Sequence, residues 1–145
     1  MNPSMEFAMK TSLAYSAVCK PLCQKLKLPQ TAFDILLFLA NNPCYKTASD
    51  IVEVRKIKAN LVSVNVDRLV QEGYLIRETV AGDRRKTQLI CTEKAKPIIA
   101  RGQALQNEFG GRLLENMDEP TRESFFRAIK IIDQNLDRIL EKGNH

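Results

Sequence analysis

The hydrophobic and polar positions along the chain fall into patterns that each predict an element. Thr31 to Asn41 is apolar almost all round, with Ala32, Phe33, Ile35, Leu36, Leu37, Phe38 and Leu39, which predicts a buried central helix acting as scaffold. Lys58 to Glu72 places Val62, Val66 and Leu69 at intervals of four and three, so one face is apolar. The opposite face carries Asn60, Leu61, Val64 and Asp67. Gly73 stands where a left-handed C-terminal cap belongs, with Leu75 placed to close the hydrophobic contact of such a cap, so this helix stops at about Glu72. Upstream, Thr47-Ala-Ser-Asp50 has the form of a capping box opening a short helix through Val54, with Ala48 and Ile51 facing inward. Downstream, Leu75 to Val80 and Lys86 to Cys91 are rich in branched side chains and flank Ala81 to Arg85, a glycine-containing loop, which predicts a hairpin with a charged tip.

Helix, turn, helix and hairpin in this order read as a winged helix-turn-helix. Its second helix suits a DNA major groove, and its hairpin tip suits the backbone or the adjacent minor groove. Outside this module the chain reads as helical. Met5 to Leu26 has Tyr15, Val18, Leu22 and Leu26 at helical spacing, with Pro21 expected to kink the helix, and Leu28-Pro29 begins the next element. Thr92 is placed to cap a long helix toward Asn116, although Pro97 falls late for a first-turn proline, so the start slips or bends there. Gly110-Gly111 either weakens that helix or permits close approach of another. Asp118 to Lys142 has Phe125, Ile129, Ile132, Leu136 and Ile139 at spacings of four, three, four and three, a seven-residue stripe that wants a partner helix.

The expected fold is mainly α with a small β-hairpin wing, a single domain over 1–145. The winged module spans 29–92, and dimerisation helices span 5–28 and 93–142. A homodimer would present two reading helices to a near-palindromic site whose half-sites lie about 34 Å apart.

Composition changes the picture little: 145 residues, 44% hydrophobic and 27% charged, are ordinary for a globular domain. No apolar run approaches the ~20 residues that span a bilayer, and the start lacks a secretory pattern, so no membrane is expected and the cytoplasm is. A formal charge of +5 and a pI of 9.1 matter through placement. Arg55, Lys56 and Lys58 precede the second helix, while Arg77, Arg84, Arg85 and Lys86 lie on the hairpin. Two basic clusters flanking a reading helix suit the phosphates on either side of a groove, and the expected partner is double-stranded DNA.

Leu69, Gly73, Leu75 and Arg77, then Asp83-Arg84-Arg85, then Thr92-Glu93-Lys94, in this order, resemble the MarR (multiple antibiotic resistance regulator) family of transcription regulators over nearly the whole length. The resemblance implies an obligate dimer built from the terminal helices, a recognition helix in the major groove, a wing in the minor groove, and repression relieved by a small-molecule effector. By position, Asn60, Leu61 and Val64 match base-facing sites, with Ser63 and Asn65 nearby; asparagine suits adenine, and leucine or valine a thymine methyl. Arg85 and Arg84 match the minor-groove arginine, and Asp83 the acid that orients it. Lys94-Ala95-Lys96-Pro97 departs from the glycine many relatives carry there. The first turns of the reading helix lack an exposed arginine, so specificity is expected from Asn60, apolar contacts and shape-reading by the wing.

Tyr15, Cys19 and Phe33 are candidate lining residues for an effector pocket between the dimer helices and the winged module. Cys19 and Cys23, four apart on one helix face, are candidate redox thiols, set against their reading as small core residues. The only histidine is His145, so no metal site is expected, and no cofactor. The chain lacks a glycine-rich phosphate loop, a nucleophile elbow or a histidine in the folded body, which argues against an enzyme. The alternatives are a thiol-based regulator and a winged-helix protein-docking module; the latter has no need of Asp83-Arg84-Arg85-Lys86.

Overall fold

The computed structural model of the chain describes residues 2–143, with side chains through Glu141; His145 lies outside the described residues. The elements are α1 (Pro3–Leu26), α2 (Gln30–Asn41), α3 (Ala48–Arg55), α4 (Ala59–Gln71), β1 (Leu75–Val80), β2 (Asp83–Cys91), a 3-10 turn (Glu93–Ala95), α5 (Lys96–Leu113) and α6 (Glu119–Gly143). Their contacts group into two compact units, Met1–Phe109 and Gly110–His145.

In the first unit, α2 is the core. Ala32, Phe33, Ile35, Leu36 and Leu37 are almost fully buried, and Ile51 of α3, Val62, Val66 and Leu69 of α4, and Leu75 of β1 join them. α1 runs unbroken through Pro21, which sits on its exposed side, and ends at Lys27 in the left-handed conformation (φ 57°). α3 opens with the expected capping box: the Thr47 hydroxyl accepts from Asp50 N, and the Asp50 carboxylate accepts from Thr47 N at 3.0 Å. Ile51 faces inward, but Ala48 is exposed, because the first turn of so short a helix reaches past the core.

β1 and β2 pair antiparallel from Leu75↔Cys91 to Thr79↔Thr87, with a bulge before Val80↔Asp83. The second strand begins at Asp83, three residues earlier than the branched pattern indicates, because the turn is only Ala81-Gly82, with Gly82 at φ 86°. Leu89 N also donates to Lys46 O at 2.6 Å, tying the segment before α3 to the wing.

α5 departs from its expected start. Thr92 makes no side-chain cap; a 3-10 turn intervenes, and the α-helix begins at Lys96, which puts Pro97 in its first turn, where a missing N–H costs nothing. Close approach comes at Gly102, where a Cβ would lie 2.8 Å from Leu37 Cδ2; at Gly110 and Gly111 it would meet nothing within 4 Å.

In the second unit, Asp118 Oδ1 accepts from Thr121 N at 2.9 Å and caps α6, holding its own carboxyl below the ordinary range. Along α6, Ile129, Ile132, Leu136 and Ile139 are exposed.

Candidate nucleic-acid interface

α4 is amphipathic as its periodicity requires, and its ends are fixed by backbone geometry. Gly73, at φ 84°, allows Gly73 N to bond Val70 O (3.0 Å) and Tyr74 N to bond Leu69 O (2.8 Å), the paired bonds of a Schellman cap. Side chains from beyond the wing reinforce that end. The Thr92 hydroxyl donates to Gly73 O at 2.6 Å, and Lys94 Nζ donates to Glu72 O at 2.6 Å while sitting 4.7 Å over the Tyr74 ring. A cation on the terminal carbonyls also opposes the negative end of the helix dipole. Thr92 and Lys94 thus hold the C-terminal end of α4, while Glu93 between them pairs with Lys96 at 2.7 Å.

The opposite face of α4 is open. Leu61 is 46% and Val64 65% exposed, and Asn60, Ser63 and Asp67 are exposed beside them. Asn65, expected near the bases, is a correction: it is buried, and its Nδ2 donates to Leu61 O at 2.8 Å, so the amide serves its own helix.

The basic residues divide into free and engaged. Lys56, left-handed at φ 56°, and Lys58, the residue before α4, are exposed at the α3–α4 turn. Arg84, Arg85 and Lys86 are exposed near the wing tip, and no ion pair among the described residues involves them. Asp83 Oδ1 accepts from the Arg85 backbone N–H at 3.0 Å, so the acid orders the turn through the main chain and not the guanidinium. Two expected phosphate contacts are occupied instead. Arg55 turns back to α2, 3.9 Å from the Asp34 carboxylate, and Arg77 on β1 is bonded to Asp67 on α4.

Tyr15 lines a small polar cleft of about 180 Å³ with Asp34, Phe38, Asn41, Asn42, Arg55 and Gln106. Gln106 Nε2 donates to the Tyr15 hydroxyl at 3.0 Å, and burial pushes that hydroxyl up to about 12. Burial also raises the Asp34 carboxyl against the pull of Arg55. Phe33 and Cys19, expected beside Tyr15, are fully buried in the core and do not line the cleft. The same burial favours the reading of Cys19 and Cys23 as small core residues. Desolvation raises the Cys19 thiol and pushes Cys23 up to about 11, the reverse of what a sensor thiol needs.

A helix-turn-helix whose second helix leaves one face open, followed by a basic two-stranded wing, defines a winged helix-turn-helix protein. A model of the MarR family matches residues 26–86, the span from the end of α1 into the wing. The fold resembles a MarR family transcriptional regulator from Listeria monocytogenes solved in complex with 26mer DNA. The two are 17% identical, the match covers 94% of this chain and 90% of that one, and the TM-score is 0.82. It also resembles the transcriptional regulator PA3341, 25% identical over 92% of this chain and 97% of that one, with a TM-score of 0.80. For the transcriptional regulator SlyA the figures are 15% identity, 97% and 98% coverage, and a TM-score of 0.84. The family match thus lies on the winged module, and the fold of the whole chain is that of these solved transcriptional regulators.

Proposed function

We propose that the chain is a dimeric repressor that binds duplex DNA at a near-palindromic operator and is released by a small-molecule effector. The open, apolar-and-amide face of α4, flanked by the exposed cations Lys56 and Lys58 on one side and Arg84, Arg85 and Lys86 on the other, carries this reading. That arrangement suits base edges in the middle and phosphates at both margins. The Listeria relative solved with DNA supports the same partner.

Dimerisation draws support from each terminal helix taken separately. α1 exposes Met5, Phe7, Met9 and Leu13, and α6 exposes Ile129, Ile132, Leu136 and Ile139, more apolar surface than a monomer usually leaves in water. The cleft at Tyr15 is the proposed effector site, where an acidic ligand group would compete with Asp34 for Arg55, and Gln106, Asn41 and Asn42 supply hydrogen-bonding groups. Occupation of the cleft would act on α3 through Arg55, its last residue.

Selection of the purified chain on a random pool of duplex DNA at near-physiological salt tests the proposal. An enriched inverted repeat with half-site centres about ten base pairs apart is the expected result. Weak binding without enrichment, lost on adding salt, would contradict it and leave only nonspecific charge.

A further inference from the structure

Resting on the reading of α4 as the base-reading helix, we propose that the chain recognises thymine 5-methyl groups through Leu61 and Val64, and so selects A·T pairs at the positions α4 covers. The charged side chains of α4 are Asp67 and Arg68, and both are committed within the protein. Asp67 is bonded to Arg77. The Arg68 Nη2 donates to Lys27 O at 2.7 Å, and its Nε lies 3.4 Å from Glu72. Asn65, the one other large polar group in the middle of the helix, faces inward to Leu61 O.

The chemistry of the major groove decides what the remaining side chains can read. Guanine presents two acceptors, best met by a cationic fork, and cytosine presents an amino donor, best met by a carboxylate; α4 has neither to spare. Thymine presents a methyl group, and Leu61 and Val64, three residues apart on one helix face, hold apolar surface in water at 46% and 65% exposure. Covering that surface with methyl groups removes both partners from water, which no G·C pair offers in the same place. Asn60, exposed one residue before Leu61, supplies the amide that pairs with an adenine edge.

Uracil tests this without touching anything else, because it lacks only the 5-methyl group, pairs with adenine, and presents an unchanged minor groove to the wing. Two random duplex pools, one built with thymine and one with uracil, are selected on the purified 145-residue chain. Each thymine of the best thymine duplex is then replaced singly by deoxyuridine. The expected result is A·T enrichment under α4 and a loss of about four-fold in affinity for each contacted methyl. Leu61→Ala and Val64→Ala should each erase that sensitivity at its own position, and being exposed they should melt like the parent chain. Uracil duplexes that bind as well as thymine duplexes at every position, or a selected site with G·C pairs under α4, would overturn methyl reading while leaving DNA binding intact. Enrichment from neither pool would overturn DNA reading and this inference with it.

Discussion

Asp67 on α4 and Arg77 on β1 are bonded to each other across ten residues of chain, and the bond ties α4 to the root of the wing. The two side chains are 64% and 43% exposed, so the pair contributes little to stability, ~0–1 kcal/mol. On the proposed reading its role is to hold the two DNA-facing elements in one relative position while occupying an acid that would otherwise repel phosphates. Arg77→Ala should therefore shift the unfolding free energy by no more than ~1 kcal/mol. Its cost in operator affinity should be larger, as read by fluorescence anisotropy beside a urea melt. A loss of stability with full affinity would show the pair to be structural only.

The Thr92 hydroxyl on Gly73 O should matter to folding more than an exposed polar group does. Thr92→Val keeps the shape and removes the donor, leaving a partly buried carbonyl short of one partner, a loss of ~1–3 kcal/mol in urea unfolding. Thr92→Ser, which keeps the hydroxyl, should recover most of it. Equal losses in the two variants would mean that the methyl group, and not the bond, is what counts.

Gly102 and Gly110 are both helical glycines of α5, yet they should respond oppositely to alanine. At Gly102 the new Cβ meets Leu37 at 2.8 Å, deep in the core, and the strain should cost ~1–3 kcal/mol. At Gly110 it meets nothing within 4 Å and only restricts the unfolded chain, a gain of ~0.5–1 kcal/mol. Thermal melts of both variants decide it, and matching signs would contradict the packing described for α5.

The thiols should sort by burial. Cys44 is exposed and should react with a disulfide reagent at neutral pH, whereas Cys19 and Cys23 should react only after denaturation. Cys23 sits at about 11 in the folded chain against 9.0 when free, so the unfolded chain ionises first. This contribution to stability is present below 9.0 and is lost as the pH rises through about 11. Rapid modification of Cys19 or Cys23 in the native protein at neutral pH would restore the redox reading.

Much of the winged module was legible because local rules agree there. The 3.6-residue spacing of Val62, Val66 and Leu69, the Thr47–Asp50 capping box and Gly73 each mark an element with its own mechanism. The misreadings come from pairings that leave no local trace. Nothing near Arg77 announces Asp67, and nothing near Arg55 announces Asp34, so both read as free cations. Asn65 misleads for a different reason. An asparagine between apolar residues on a DNA-facing helix looks like a reader, and only the bond to Leu61 O four residues back shows it satisfied in place. Gly102 carried a signal, an isolated glycine within a helical pattern, but the more conspicuous Gly110-Gly111 pair drew the expectation of close packing away from it.

In the proposed complex two copies of α4 and its wing engage one duplex at fixed spacing. Equilibrium binding to the selected inverted repeat, and to the same duplex with five base pairs inserted between its halves, tests it most directly. Half a helical turn puts the second half-site on the opposite face of the duplex, so affinity should fall toward the nonspecific level, by ~10³-fold or more. Unchanged affinity for the split site would contradict a dimer that reads both halves at once.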